Sequence, residues 1–160
     1  MGTPTTDLCD QHPEAAVLPA GFNDYGGVTT FDGTALTVKC FEDNSRIKEL
    51  SQTPGLGRVL VVDGGGSLRC ALLGDVIAID LAKNGWSGII VHGCVRDRQA
   101  LAGIQLGVKA LGAHPRKSFK RNEGTVGVPI EIAGATVREG DQVHADLDGV
   151  VILPAQPAHA

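Results

Sequence analysis

Gly88-Ile89-Ile90-Val91-His92-Gly93, followed by Cys94-Val95 and then Arg96-Asp97, decides how this chain is read. The run is apolar, partly β-branched and bounded by glycine. That predicts a short strand over 88–91, buried on both faces as strands of a parallel sheet are. Arg96-Asp97 then falls beyond the carboxyl end of the strand, where open α/β sheets place their ligands. Arginine presents a planar fork that matches a carboxylate. Aspartate offers one hard oxygen ligand, and one carboxylate plus water and substrate is a usual way to hold Mg²⁺. The pair suits enolate chemistry on a 2-oxo acid.

Upstream, Arg58-Val59-Leu60-Val61-Val62 predicts another buried strand. Asp63-Gly64-Gly65-Gly66-Ser67 follows it. Such a loop can cradle an anion with backbone amides, but the Gly-Lys-Ser/Thr ending and the spaced dinucleotide fingerprint are missing. A tight turn, or one wall of another anion site, is the better reading. Residues 68–84 read as helix, with Leu72, Leu73, Val76, Ile77 and Leu81 as its inner stripe and Gly85 closing it. Gly74 interrupts that pattern at about 1 kcal/mol relative to Ala. It has two readings: close packing within one helix, or a break. A break starts the helix at about Val76 and leaves its first amides free for an anion. Twenty residues separate Asp75 from the Arg96-Asp97 pair.

The rest of the chain is organised around these strands. A short helix is expected over 7–11, stopped by His12-Pro13, and a linker over 19–21. Asp32-Gly33 predicts a type I′ turn joining strands 28–31 and 35–41 into a hairpin. Asn44 is placed to cap a helix reaching Gln52. Residues 98–102 read as a short helix and 108–111 as a strand. Beyond Thr125 short strands alternate with turns, an all-β meander ending near Leu153. One domain over 1–160 is expected, ordered from about 6 to 153, with 154–160 as a tail.

Composition excludes several classes. A net charge of −4 argues against a general nucleic-acid binder. Arg116, Lys117, Lys120 and Arg121 form a local basic patch that reads as a solvated loop. No apolar run reaches the roughly 18 residues of a membrane span. A basic start with an apolar stretch is absent, so a secretory signal is not expected. Cys9, Cys40, Cys70 and Cys94 share no Cys-x-x-Cys spacing, which argues against structural zinc and for a reduced, cytoplasmic setting. His92 reads as a satisfied core histidine, and Cys94 as a packing residue. Ser67 lacks a nucleophile elbow. Asp146 and Asp148 beside Gly149 read as a turn rather than a calcium loop.

With these residues in view, the chain resembles the regulator of ribonuclease E activity A family, which includes class II 4-hydroxy-4-methyl-2-oxoglutarate aldolases. The resemblance spans about residues 6–153. It rests on Thr37-Val38-Lys39-Cys40-Phe41-Glu42-Asp43-Asn44, the 59–67 run, the β-rich end, and the aldolase spacing of Asp75 to Arg96-Asp97. It implies an α/β fold of β/β/α type, similar to the swivelling phosphohistidine domain, with helices packed around it. It implies a homotrimer with sites between subunits, or a dimer of trimers. It further implies that Gly74, Asp75, Val76, Ile77 and Arg96 bind a small 2-oxo acid, that Asp97 holds Mg²⁺ or Mn²⁺, and that Asp75, Arg96 and Asp97 are catalytic. The implied activity is retro-aldol cleavage to pyruvate, with oxaloacetate decarboxylation beside it. Inhibition of ribonuclease E by direct binding is the alternative the family offers. Demethylmenaquinone methyltransferase, a third family label, lacks a glycine-rich cofactor fingerprint here.

Overall fold

The computed structural model describes residues 2–155. In chain order these form α1 (Thr5–Gln11), β1 (Ala16–Val17), β2 (Asn23–Asp24), β3 (Phe31–Lys39), α2 (Ser45–Ser51), β4 (Val59–Asp63), β5 (Ala71–Leu73), α3 (Asp75–Lys83), β6 (Gly88–Val95), α4 (Arg98–Leu101), β7 (Gly107–Ala113), β8 (Thr125–Val126), β9 (Ile130–Ile132), β10 (Ala135–Val137), β11 (Gln142–Asp146) and β12 (Gly149–Leu153).

The centre is a parallel set in the order β3-β4-β6-β7. Side chains of a strand alternate between faces, so β4 supplies two cores at once. Leu60 and Val62 join Ile89, Val91 and Val108 on the face covered by Ile47 of α2, Ile77 and Leu81 of α3 and Leu101 of α4. Val59 and Val61 join Ile90 on the other face, under Ile130, Ile132 and Val137 of the β9–β10 pair and Val143 and Ile152 of β11 and β12. Helices lie on one side and strands on the other, which is the β/β/α layering expected. The apolar 58–62 and 88–91 runs are strands for the reason given: both faces are covered.

The predicted hairpin at Asp32-Gly33 is not formed. β3 runs straight through both residues. Its first half pairs antiparallel with β11, and its second half parallel with β4. A Cβ on Gly33 would stand 2.2 Å from the Gly57 carbonyl oxygen. Glycine is there for close approach of another backbone, not for a turn. Val28 makes only an isolated bridge to Gly107. The C-terminal strands also depart from a simple meander, since β9 and β10 form their own two-stranded sheet while β11 and β12 join β3. Only residues 154 and 155 of the expected tail are described; 156–160 lie outside the described residues.

The expected helix over 68–84 is corrected too. Ala71–Leu73 is a strand beside the end of β6, and α3 begins at Asp75. Leu72 and Leu73 are buried at a strand end rather than on a helix stripe. Of the two readings of Gly74, the break is the one realised.

Asn44 sits at the N-cap of α2 but does not cap it with its side chain. Its Nδ2 donates to the Leu72 carbonyl at 3.1 Å, tying α2 to β5. Asp43 does the local work instead. Its Oδ1 accepts from the Ser45 amide (2.9 Å) and hydroxyl (2.6 Å), and its Oδ2 accepts from the amides of Arg121 (2.6 Å) and Glu123 (3.2 Å). Burial raises the Asp43 carboxyl, but these four bonds outweigh it and hold it down at about 2. The clamp fixes the far end of the 114–123 loop. Its near end is fixed by the Ala71 amide donating to the Arg116 carbonyl at 2.7 Å.

The Phe31 ring lies where Cβ atoms of Gly107 and Gly88 would be, 2.1 and 2.5 Å from its nearest ring atoms. Gly107→Ala should therefore lower unfolding free energy by about 1–3 kcal/mol through overpacking. Adding Phe31→Leu should recover part of it in denaturant titration. The depressed Asp43 carboxyl stabilises the fold above its unfolded value of about 3.8, and that contribution is lost as pH falls toward about 2. Acid unfolding of Asp43→Asn should show a shallower dependence on pH across that window than the unsubstituted protein.

Candidate active site

β5 and β6 are parallel neighbours, so their carboxyl ends stand side by side. Gly74-Asp75 leaves one end and Arg96-Asp97 the other. The Arg96 amide donates to the Leu73 carbonyl at 2.9 Å. The Asp75 amide donates to Asp97 Oδ2 at 3.1 Å. A Cβ on Gly74 would stand 2.8 Å from that same Oδ2 and 3.5 Å from Arg96 Cγ and Nε. Any larger residue at 74 would push the Asp97 carboxylate away, so the helix break and the close packing are one feature. Asp97 has left-handed φ of 63°. Aspartate tolerates that conformation better than most residues. It turns the chain from β6 directly into α4.

α3 begins with Gly74 in extended conformation and no side-chain cap. Asp97 takes the Asp75 amide. The Val76 and Ile77 amides lie in the first turn, where a helix supplies them no internal partner. They carry the positive end of the helix dipole. Arg96 is half-buried, with Nη1 3.4 Å from the Pro115 carbonyl.

Gly74, Asp75, Val76, Ile77, Arg96 and Asp97 all line one cavity of about 160 Å³. This is the full set of residues singled out in the sequence. Its size suits a ligand of a few heavy atoms, well under a drug-sized one. Asn44, Lys48, Lys117 and Lys120 line it as well. Arg96 and the three lysines face two carboxylates, so the cavity carries net positive charge and favours anions. These four additional residues were not identified as site residues. Lys117 and Lys120 read locally as a solvated basic loop, and Asn44 and Lys48 as parts of a surface helix. Their only signal is tertiary: the Asp43 clamp and the Ala71–Arg116 bond bring the loop over β5.

The donor set suits a hard cation. Asp97 Oδ2 is engaged by one amide, leaving the other oxygen uncommitted among the described residues. No group of three or more His, Cys, Asp or Glu side chains is gathered among the described residues. A site of one carboxylate completed by water and ligand oxygens is compatible with Mg²⁺ or Mn²⁺ and unsuited to zinc in a closed site.

The other candidates separate from this cavity. His92 is half-buried, 6.1 Å from the Phe22 ring, and its Nδ1 lacks a hydrogen-bond partner, so it is not the satisfied core histidine expected. Cys40, Cys70 and Cys94 are buried free thiols, as expected of packing residues. Burial, helped by the Asp43 and Asp63 carboxylates, pushes Cys40 up to about 12. Asp146 Oδ1 accepts from the Thr5 hydroxyl at 2.6 Å and the Asp148 amide at 3.0 Å, consistent with a structural turn. No helix among the described residues is long and apolar enough to cross a membrane.

Comparison with known proteins gives the family and the fold. The RraA-like family model, described as Aldolase/RraA, matches residues 5–152. A protein of Pseudomonas fluorescens (strain Pf0-1) named "Putative 4-hydroxy-4-methyl-2-oxoglutarate aldolase" is 52% identical over 152 residues, covering 94% of this chain and 93% of its own length. Among solved structures, the RNA-processing inhibitor RraA from Thermus thermophilis matches with TM-score 0.94 and 43% identity, covering 100% of this chain and 98% of that one. A structure from Geobacillus kaustophilus HTA426, described as an S-adenosylmethionine: 2-dimethylmenaquinone methyltransferase, matches with TM-score 0.93 and 42% identity over 96% of both chains. The family-model match over nearly the whole described chain establishes that this protein belongs to the RraA-like (Aldolase/RraA) family.

Proposed function

We propose that the protein is a divalent-metal-dependent carbon–carbon lyase that cleaves 4-hydroxy-4-methyl-2-oxoglutarate to pyruvate and also decarboxylates oxaloacetate. The observation that carries this reading is the meeting of Arg96, Asp97 and the unpaired amides of α3 in one cationic cavity. The names of relatives at about half identity support the same substrate.

The 2-oxo acid carboxylate binds the Val76 and Ile77 amides at the helix N-terminus, with Arg96 beside it. Asp97 would hold Mg²⁺ or Mn²⁺, which would supply Lewis-acid stabilisation of charge developing on the 2-oxo group, worth several kcal/mol in such sites. Arg96 stabilises the same charge as the C3–C4 electron pair moves toward C2. Asp75, through a water, takes the proton of the C4 hydroxyl; C4 becomes the carbonyl carbon of the departing pyruvate. The proton then returns to C3, giving the second pyruvate. With oxaloacetate the same C3–C4 bond breaks and carbon dioxide leaves; that substrate has no C4 hydroxyl, so C3 takes its proton from solvent water relayed by Asp75. No lysine Schiff base is required, so Lys117 and Lys120 serve as charges rather than nucleophiles.

The solved RNA-processing inhibitor at 43% identity favours a second reading, direct association with a ribonuclease. That reading needs neither Asp97 nor a metal, and a pull-down with an RNA-cleavage assay would separate the two.

The test is pyruvate release from each substrate by chelator-stripped protein with and without added metal. Release should require Mg²⁺ or Mn²⁺. Arg96→Ala should lower kcat/KM by roughly 10²–10³-fold, the scale of losing a donor aimed at developing negative charge. Arg96→Lys should not restore it, because a point charge lacks the planar fork. Asp97→Ala retaining full activity in excess chelator would contradict the mechanism.

A further inference from the structure

A second cavity of about 150 Å³ adjoins the first, and Lys117 lines both. Its walls include Arg69, Arg116, Arg121 and the ring of Phe119, which is 71% exposed. Glu42 is the one carboxylate among its lining residues, and it is committed: Oε1 and Oε2 accept from Arg69 Nη2 and Nε, each at 2.7 Å. Among the described residues Arg116 and Lys117 form no salt bridge. Arg121 has only an open contact with Glu123 at 3.7 Å, a kind of exposed pair worth little. The Asp43 clamp and the Ala71–Arg116 bond hold the backbone that carries these side chains. Arg116 and Lys117, which pair with no carboxylate among the described residues, and Arg121, held only loosely by Glu123, therefore stand beside an aromatic face on a fixed loop.

We infer that this second cavity is the subsite for the distal carboxylate of the substrate, with Arg116 and Arg121 as its specificity residues and Lys117 spanning the two cavities. The inference rests on the first cavity being the 2-oxo acid site. It makes the protein selective for 2-oxo acids carrying a second carboxylate over those ending in an alkyl group. Phe119 offers apolar surface for a substituent at C4. In aldol cleavage the distal carboxylate stays on the departing 2-oxo acid and keeps its charge, so these arginines bind ground state and transition state alike and act on KM. In oxaloacetate decarboxylation that carboxylate is lost as neutral carbon dioxide, so the same cations oppose the step.

The experiment is calorimetric binding of 2-oxoglutarate and 2-oxopentanoate, which share a chain length and differ in the distal carboxylate. Both are measured with Mg²⁺ present, on the unsubstituted protein and on Arg116→Gln/Arg121→Gln. The unsubstituted protein should prefer 2-oxoglutarate by about tenfold or more, and the double variant should lose most of that preference while still binding 2-oxopentanoate. Retained 2-oxopentanoate binding also shows that the variant is folded. In turnover, the double variant should raise KM for both 4-hydroxy-4-methyl-2-oxoglutarate and oxaloacetate, with little change in kcat for the first and no fall in kcat for the second. Equal affinity for the two ligands in the unsubstituted protein, or an unchanged preference in the variant, would overturn the inference. A protein that shows the preference but releases no pyruvate would sink the lyase reading and leave the subsite standing.

Discussion

The contact of the Asp97 carboxylate with the Asp75 amide, over a glycine whose replacement would displace that carboxylate, is what the site depends on. It joins the ends of two parallel strands that are separated in sequence by a whole helix. It also sets the direction of α3, since the first amide of that helix is taken by Asp97 and the next two are left for a ligand. The left-handed turn at Asp97 serves the same end. It lets the carboxylate reach back toward β5 while the chain proceeds into α4. A site built this way rests on strand ends and backbone bonds rather than on mobile side chains, which suits chemistry that needs a fixed geometry for developing charge.

Cationic character reaches the site by a different route. Lys117 and Lys120 belong to an exposed loop with little apolar anchoring of its own. The buried Asp43 carboxylate holds that loop by two backbone amides while capping α2 with its other oxygen. Asn44, next to it, ties α2 to β5. One dipeptide therefore links the helix layer, the strand that leads to Asp75, and the loop that supplies positive charge. Conditions that protonate Asp43 should loosen all three together.

The parts of the fold that could be read from the chain are those where local pattern and tertiary environment agree. The 58–62 and 88–91 runs are apolar throughout because both faces are covered, and the strands form there. Asp32-Gly33 misleads because a turn dipeptide can also mark a strand whose backbone is approached by another, here by Gly57. The 68–73 segment misleads because Leu72 and Leu73 fit a helical stripe as well as a strand end; only pairing with β6 decides. At the site, Arg96 and Asp97 were legible because they follow a strand that the apolar 88–91 run already marks; Gly74 and Asp75 were legible from the glycine break and the spacing to that pair, not from the strand that precedes them. The lysines were not, since a basic loop looks the same whether it faces water or a cavity, and the bonds that place it are long-range.

A cavity that stabilises negative charge on the C2 oxygen of a bound 2-oxo acid should also promote enolisation of pyruvate itself. Hydrogen–deuterium exchange of the pyruvate methyl group, followed by proton NMR in heavy water, tests it without assuming a cleavage substrate. The account predicts exchange well above the uncatalysed rate, dependent on Mg²⁺ or Mn²⁺ and lost in both Arg96→Ala and Asp97→Ala. Exchange no faster than in buffer with metal alone would contradict it.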